Sequence, residues 1–355
     1  MRERTLSRRE LNRALLARQL LLRRARLSVP RAVERIGALQ AQFPPSPYIA
    51  LWSRLDGFRR EQLARAIERR QVVKATLMRT TLHQVSARDY LAYAGLFRAT
   101  RLAEMRRRAE RSDIPADVAR LTKKVLAHAS TEPRSRPELL ALLDLPKLRI
   151  DDPRPWIVWY LLVSECELVH SPESSAWRHN TAGGKFSPAP VWLGGSGADG
   201  EEAAEHLVRR YLAAFGPATR ADVAQWTGLP LARLEPALAR LELRRFRDER
   251  GRQLVDLPRA PLPPPETEAP VRFLPMWDSS LLAHDDRTRI LPEEHRKTVI
   301  RRNGDVQPTF LVDGFVAGTW RRIDSLVELE PFAPLSARAR RELGREAAAL
   351  AAFHA

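Results

Sequence analysis

Apolar residues recur at helical spacing through most of the chain, and the gaps between these runs carry helix-start and turn signals. Ser7-Arg8-Arg9-Glu10 is a capping-box pattern, and Leu11, Leu15, Leu16 and Leu20 follow on one helical face. A second helix is expected from about Ser28, with Pro30 in its first turn and Val33, Ile36 and Leu39 at three-residue spacing. Pro44, Pro45 and Pro47 cannot continue it. Short helices fit 47–55 and 60–70. The next stretch, QVVKATLMRTTLHQV, is rich in β-branched residues and predicts a strand or tight β-ribbon. Helices followed by a β-wing is the order of a winged helix.

The order recurs twice. Residues 117–128 pattern as a helix, Ser135-Arg136-Pro137-Glu138 caps another, and 153–164 form a third, with 166–193 as the expected wing. In the third copy a helix over 201–215 stops at Gly216-Pro217, and Thr219 caps a helix ending near Trp226. Thr227-Gly228-Leu229-Pro230 turns the chain into a candidate recognition helix over 231–242. RRFRDERGRQLVDL then reads as a two-stranded wing turning at Arg250-Gly251. Each copy can also be a winged helix used only for packing, the less favoured reading. Beyond the proline-rich linker 258–270 the chain leans to β. Asp313-Gly314, inside FLVDGFV, suits a type I′ hairpin turn, and a terminal helix is expected over 336–353. The expected fold class is thus α+β, mostly helical. Its units are 1–115, 116–195 and 196–260, each a winged helix, and a β-rich region, 261–355.

Composition narrows the function. The 355 residues carry a net charge of +17. Residues 1–110 hold 25 Lys and Arg against 9 Asp and Glu, so nearly all the excess lies in the first third. Fifty-four of the sixty basic residues are Arg, the side chain suited to bidentate phosphate and guanine contacts. A GC-rich genome can also produce that ratio, but it does not explain why the excess sits at one end. One cysteine, Cys166, excludes an internal disulfide and a cysteine-rich zinc site. His128, His170, His179, His284 and His295 show no metal-ligand spacing, so no metal or other cofactor is expected. Gly183-Gly184 and Gly194-Gly195 are too short for a phosphate cradle and read as turns. No apolar run reaches the roughly 18 residues of a membrane helix. The N-terminus has charges but no apolar segment of a secretory signal. The expectation is a cytoplasmic, nucleoid-associated monomer acting on a polyanion.

The segment Gln40-Ala41-Gln42-Phe43-Pro44 carries the candidate chemistry. On a helix, residues two apart point roughly 200° apart, whereas on an extended segment they share a face. The prolines favour extension here, so Gln40 and Gln42 can present two amides to one point at a helix end. Composition alone also allows a solvated helix end.

ALQAQFPPSPYIALWSRL and LMRTTLHQVSARDY, with the later FLPMWDSSLLAHDDRTRI and FLVDGFVAGTWR, resemble the AlkZ-type DNA glycosylases over nearly the whole chain. The resemblance implies tandem winged helices in a C-shape around double-stranded DNA. It also implies removal of alkylated bases and, in some members, unhooking of interstrand crosslinks. The Gln-apolar-Gln motif of that family maps onto Gln40, Ala41 and Gln42. A related YcaQ-type branch carries Gln-apolar-Asp, so Gln42 sets this chain on the AlkZ side.

A glutamine amide has no useful pKa and cannot act as a strong base, but it can hold a water. Such a site suits a bond already primed to break, as in an N7-alkylated purine whose base is cationic. With no lysine expected near the motif for a Schiff base, a monofunctional glycosylase follows. Arg79, Thr81 and His83 alternate on one face if 73–85 is a strand. The resemblance places them beside the motif, as contacts to DNA or as parts of a structural ribbon. Trp320, Arg321 and Arg322 sit on a hairpin that either reaches a DNA groove or simply packs. Trp277, Asp278, Asp286 and Arg287 match the family pattern, and buried ion pairing is the better reading of the charged ones. No deep base pocket is expected beside Gln40. The alternative function is a non-catalytic winged-helix DNA-binding regulator, although such proteins more often carry one recognition helix in a short dimeric chain.

Overall fold

The computed structural model describes residues 3–112, 114, 118–143, 153–177 and 184–355. His179 and Gly183 lie outside these. The first strand β1 (Arg4–Leu6) leads into α1 (Arg8–Arg18), whose capping box is formed. Glu10 N–H donates to Ser7 Oγ at 3.2 Å, and Ser7 N–H donates to Glu10 Oε2 at 2.8 Å. Next comes α2 (Val29–Ile36), which stops earlier than the prolines require. Gly37 ends it with φ +91°, and a Cβ there would stand 3.0 Å from the Phe215 ring. Glycine is therefore demanded twice, by the backbone turn and by the close approach.

The chain then runs extended as β2 (Leu39–Gln40) and turns into α3 (Ser46–Arg54), with Pro45 as its N-cap and Pro47 in its first turn. The prolines start a helix here rather than force extension. After α4 (Arg60–Glu68), β3 (Val72–Thr76) and β4 (Leu82–Ser86) form a hairpin around a 3-10 turn, Met78–Thr80. The long helix α5 (Ala87–Arg111) follows, capped by Ser86. Nothing in the sequence reading anticipated α5.

The second unit has α6 (Val118–Thr131), β5 (Arg134–Ser135), α7 (Arg136–Ala141) with the expected Ser135–Glu138 capping box, α8 (Arg154–Glu165), β6 (Leu168–His170), β7 (Lys185–Pro188) and α9 (Ala189–Leu193). The third has α10 (Glu201–Phe215), α11 (Arg220–Thr227) capped by Thr219, α12 (Leu231–Arg240), β8 (Arg244–Asp248) and β9 (Gln253–Asp256). These follow the sequence reading closely, including the turn at Gly251. The C-terminal region has β10 (Arg272–Leu274), α13 (Arg296–Val299), β11 (Thr309–Val312), β12 (Phe315–Ile323), β13 (Leu326–Pro331) and α14 (Ala337–His354). Asp313 and Gly314 both take positive φ, 48° and 83°, as a type I′ turn needs.

The fold is α+β, and its units are knitted together. One six-stranded sheet, ordered β2-β4-β3-β6-β7-β5, crosses from the first unit to the second where Lys74 pairs with His170. Strand β1 lies parallel to β8 in a three-stranded sheet with β9. A single core joins Leu15 and Leu16, Tyr93 and Phe97, Tyr211 and Phe215, Trp226, and Ile290. Ile49 on α3 packs with Phe273, Phe310, Trp320 and Leu350. The helix that follows the Gln40–Gln42 segment is thus anchored on the C-terminal sheet.

Candidate active site

Gln40 is the last residue of β2, where Leu39 pairs with Gln84 and Gln40 with His83 in antiparallel register. Ala41 N–H extends the ladder by donating to Leu82 O at 2.8 Å. The extension inferred from sequence is present, but its cause is this strand pairing and Gly37. The motif stands at a strand end, not a helix end. Gln40 is buried and Gln42 is exposed. Gln40 Nε2 donates to Gln42 Oε1, so the two amides converge. Gln40 Oε1 is buried and has no hydrogen-bond partner among the described residues. Gln42 is left with its NH2 group and a second lone pair on Oε1 for anything that approaches from outside.

Residues directly opposite on paired antiparallel strands share a face. Gln40, His83 and Ala75 therefore line one face of the sheet, and Leu39, Gln84 and Lys74 the other. His83 is 1% exposed, and its Nδ1 lies 3.1 Å from Thr81 O, so Nδ1 carries the proton. Burial, with the charge of Arg79, pushes His83 down to about 3, and the ring is neutral at physiological pH. Lys74 on β3 is a lysine that the sequence reading did not place near the motif. It projects from the opposite face and donates to Ser174 O at 2.9 Å, away from the glutamines. Burial lowers its amine to about 8.

Arg79, Thr81 and His83 do not alternate along one strand. Arg79 and Thr80 take left-handed φ of 51° and 58° at the hairpin turn, which lifts Arg79 out of the sheet. Its Nη1 donates to Trp226 O at the end of α11, tying the hairpin to the third unit. Burial, then the charge of Arg287, lowers this guanidinium to about 10. Thr81 is half-buried, and its hydroxyl donates to Met78 O at 3.0 Å. Only His83 is placed directly beside Gln40.

The expected hairpin triad also separates. Trp320 is 5% exposed, donates from Nε1 to Leu274 O at 3.0 Å, and packs edge-on against Phe273. Its large apolar ring belongs to the core, and no groove can reach it in this conformation. Arg321 and Arg322 are exposed. They lie near the tip of the β12–β13 hairpin, one turn further along the chain than Asp313-Gly314. Arg321 pairs with Glu328, and Arg322 donates to Asp324 O at 2.7 Å. Ile323 and Leu326 stand exposed at the same tip.

Support for the motif comes from behind. Arg54 on α3 grips Asp278 with two hydrogen bonds of 2.9 and 2.8 Å, both side chains buried. The same guanidinium donates to Ser280 Oγ at 2.9 Å. Asp286 is held by Arg250 and Arg252. Its burial would raise its pKa, but hydrogen bonds from Thr288 and these cations bring it below the ordinary value. The ion-pair reading of the two aspartates is correct. Arg287 instead donates to the carbonyls of Leu281 and Asp285. Gln40, Ser46 and Arg54 line one cavity of about 10 Å³. That is a water-sized space, far below the roughly 300–1,000 Å³ of ordinary ligand pockets. Sequence reasoning missed Ser46 and Arg54. Ser46 lies six residues beyond Gln40 and looked like a mere helix start.

The sequence model of the family described as DNA glycosylase AlkZ-like matches residues 33–353. The chain belongs to that family. A curated relative of this AlkZ-like chain, the interstrand DNA cross-link repair glycosylase of Streptomyces sahachiroi, is 28% identical over 145 residues. The aligned part spans 37% of this chain and 38% of that protein, well under half of each. The solved structure of Streptomyces sahachiroi DNA glycosylase AlkZ has the same fold, with a TM-score of 0.80 at 23% identity, over 98% of this chain and 96% of that one. Among the described residues of this family member, no helix is long and apolar enough to cross a membrane.

Proposed function

We propose that this AlkZ-like protein is a monofunctional DNA glycosylase that hydrolyses the N-glycosidic bond of N7-alkylated purines in double-stranded DNA. The observation that carries this reading is the convergence of the Gln40 and Gln42 amides at an exposed strand end. Neither amide can deprotonate water at neutral pH. Gln42 Oε1 accepts from Gln40 and keeps a lone pair to hold a water against the sugar carbon as a cationic base departs. Carboxylate-assisted enzymes instead generate a stronger base from a tuned acid. Here the substrate's own charge supplies the activation.

The three winged-helix-like units form the frame, as a C-shaped cleft around the duplex. Base flipping costs a few kcal/mol of unstacking and requires a pocket for the extruded base. The water-sized cavity beside Gln40 favours attack from the groove over base extrusion into it. That arrangement tolerates bulky adducts, and crosslinks of the kind named for the Streptomyces relative.

The test is excision from duplex DNA containing N7-methylguanine, read as abasic sites, for the wild type, Gln40→Ala and Gln42→Ala. Each substitution should cut excision sharply and leave DNA affinity near wild type. Full activity in both variants would sink the proposal. A borohydride-trapped covalent adduct would refute the monofunctional assignment, and DNA binding without any excision would return the chain to the regulator reading.

A further inference from the structure

Three of the residues that line the cavity behind Gln40 each carry a buried polar atom that meets no hydrogen-bond partner among the described residues: Gln40 Oε1, Ser46 Oγ and Arg54 Nε. Their residues come from three places, the end of β2 and the first and last residues of α3. The cavity has about 10 Å³ for the centre of a water molecule, which is room for one. Leaving three buried polar atoms unmatched in one place is costly, and polar cavities of this size hold water when two to four partners are present. A cation is disfavoured by the positive Arg54 guanidinium in the lining, whose Nη1 and Nη2 are held by Asp278 while Nε–H has no partner among the described residues. Anything larger than water does not fit.

We propose that one ordered water sits here and makes Ser46 and Arg54 positioning residues for Gln40, a reading that builds on the glycosylase assignment above. The water accepts from Arg54 Nε–H and donates to Gln40 Oε1, with Ser46 Oγ as its third partner. Its consequence is orientational. An amide can flip end for end at little steric cost, and only its hydrogen bonds decide which end is which. A donor reaching Gln40 Oε1 from behind holds the oxygen inward and the NH2 group outward. Gln42 Oε1 then receives the Gln40 donor, and the pair keeps one fixed donor–acceptor order. Flipped, Gln40 would present its oxygen to Gln42, and the pair could re-form only if Gln42 flipped too, reversing the donor–acceptor order. The buried Arg54–Asp278 pair, itself hydrogen-bonded to Ser280, supplies the rigid backing.

Two measurements test this. A crystal structure at a resolution that shows ordered water should place a peak within hydrogen-bond distance of all three atoms. An empty cavity overturns the proposal, whether or not the protein excises any base. Ser46→Ala should lower the single-turnover excision rate of N7-methylguanine about tenfold, the worth of one positioned hydrogen bond. Its DNA affinity should stay within about twofold and its fold intact, because the hydroxyl makes no contact a merely structural role would need. Ser46→Thr, which keeps the hydroxyl, should recover most of the rate. Unchanged excision in Ser46→Ala overturns the proposal. A wild type that excises nothing overturns the glycosylase reading, and the density in the cavity still decides this one. If Ser46→Ala does not fold, the same density decides it alone.

Discussion

Arg18 and Asp256 hold each other through two parallel hydrogen bonds, Nη1 to Oδ1 at 2.7 Å and Nη2 to Oδ2 at 2.9 Å, with neither side chain exposed. The pair joins α1 to β9 across 238 residues of chain. It also revises the meaning of the charge gradient. Several N-terminal cations are internal counter-ions to acids of the C-terminal two-thirds. Arg54 pairs with Asp278, Arg9 and Arg13 with Asp313, Arg24 with Glu346, and Arg98 with Glu167. Removing one partner of a buried pair costs up to about 3–5 kcal/mol, and here Arg244 Nη2, 3.1 Å from Asp256 Oδ2, still compensates part of the Asp256 charge. Arg18→Ala should therefore lower the urea midpoint strongly. The double variant Arg18→Met with Asp256→Leu should recover much of the loss. A midpoint unchanged by Arg18→Ala would show that the pair contributes little.

The cations left for DNA are those on the surface. Arg31 and Arg35 are exposed on α2, next to the motif in sequence, and take part in none of the pairs above. Each phosphate contact contributes a log–log salt slope of about −0.9. Replacing both arginines by Gln should flatten the slope by up to about two such increments. Arg245→Gln on β8 should change it less. Arg18→Met with Asp256→Leu should leave it unaltered, because neither group is available to a phosphate. Binding titrations from low to moderate salt would show this, and equal slopes for all variants would count against an N-terminal clamp.

The hairpin tip separates a packing residue from two surface ones. Trp320→Ala removes a buried ring, and such losses cost about 3–5 kcal/mol. It should unfold at much lower denaturant. Arg322→Ala should leave the melting temperature unchanged and weaken DNA binding. A stable Trp320→Ala variant would show that the ring is not the core contact it is taken for.

These outcomes reflect what a sequence can display. Ser7, Ser135 and Thr219 were legible as caps because their partners lie three residues on. Asp313-Gly314 was legible because the turn demands that residue chemistry. The β3–β4 turn was not, since Arg79 and Thr80 adopt left-handed backbone without glycine, asparagine or aspartate to announce it. The candidate site divided in the same way. Gln40 and Gln42 could be read from two adjacent signals. Ser46 and Arg54 could not, and Asp278 could be read as an ion-pairing residue but not its partner, because Arg54 meets Asp278 across 224 residues and only the folded chain shows the cavity they line with Gln40.

Buried neutral histidine gives the protein a stability slope on the acid side. In the unfolded chain His83 titrates near 6.5, and in the fold near 3. Between those values the unfolded state binds more protons, so stability rises with pH. The contribution of His83 is fully present above about 6.5 and is lost as pH falls toward 3. His284, buried against Phe215 O, is shifted the same way by its burial and by Arg289. Melting temperature should fall between about pH 7 and about pH 4.5, and His83→Gln should make the underlying loss of unfolding free energy shallower by up to about 1.4 kcal/mol per pH unit at its steepest. An identical pH profile in the variant would mean that His83 titrates alike in the folded and unfolded chain.

The excision rate should behave differently from stability, because the groups proposed to touch the water do not titrate. Gln40 and Gln42 are neutral at every accessible pH, and His83 stays uncharged above about 3. Single-turnover excision of N7-methylguanine should therefore be flat from about pH 5.5 to about pH 8, wherever the protein is folded. Gln42→Asp supplies a carboxylate at the exposed position, in the Gln-apolar-Asp arrangement of the related branch. The introduced carboxylate would be a base only when ionised. The variant's rate should rise with pH through the carboxylate range, centred near about 4 for an exposed group, and then level off. Because Gln40 Nε2 still finds an acceptor in that carboxylate, the variant should retain activity where Gln42→Ala does not. A wild-type profile with a break near about pH 6.5, the ordinary imidazole value, would assign the water to a titrating imidazole instead, and the amide pair would lose its place in the mechanism.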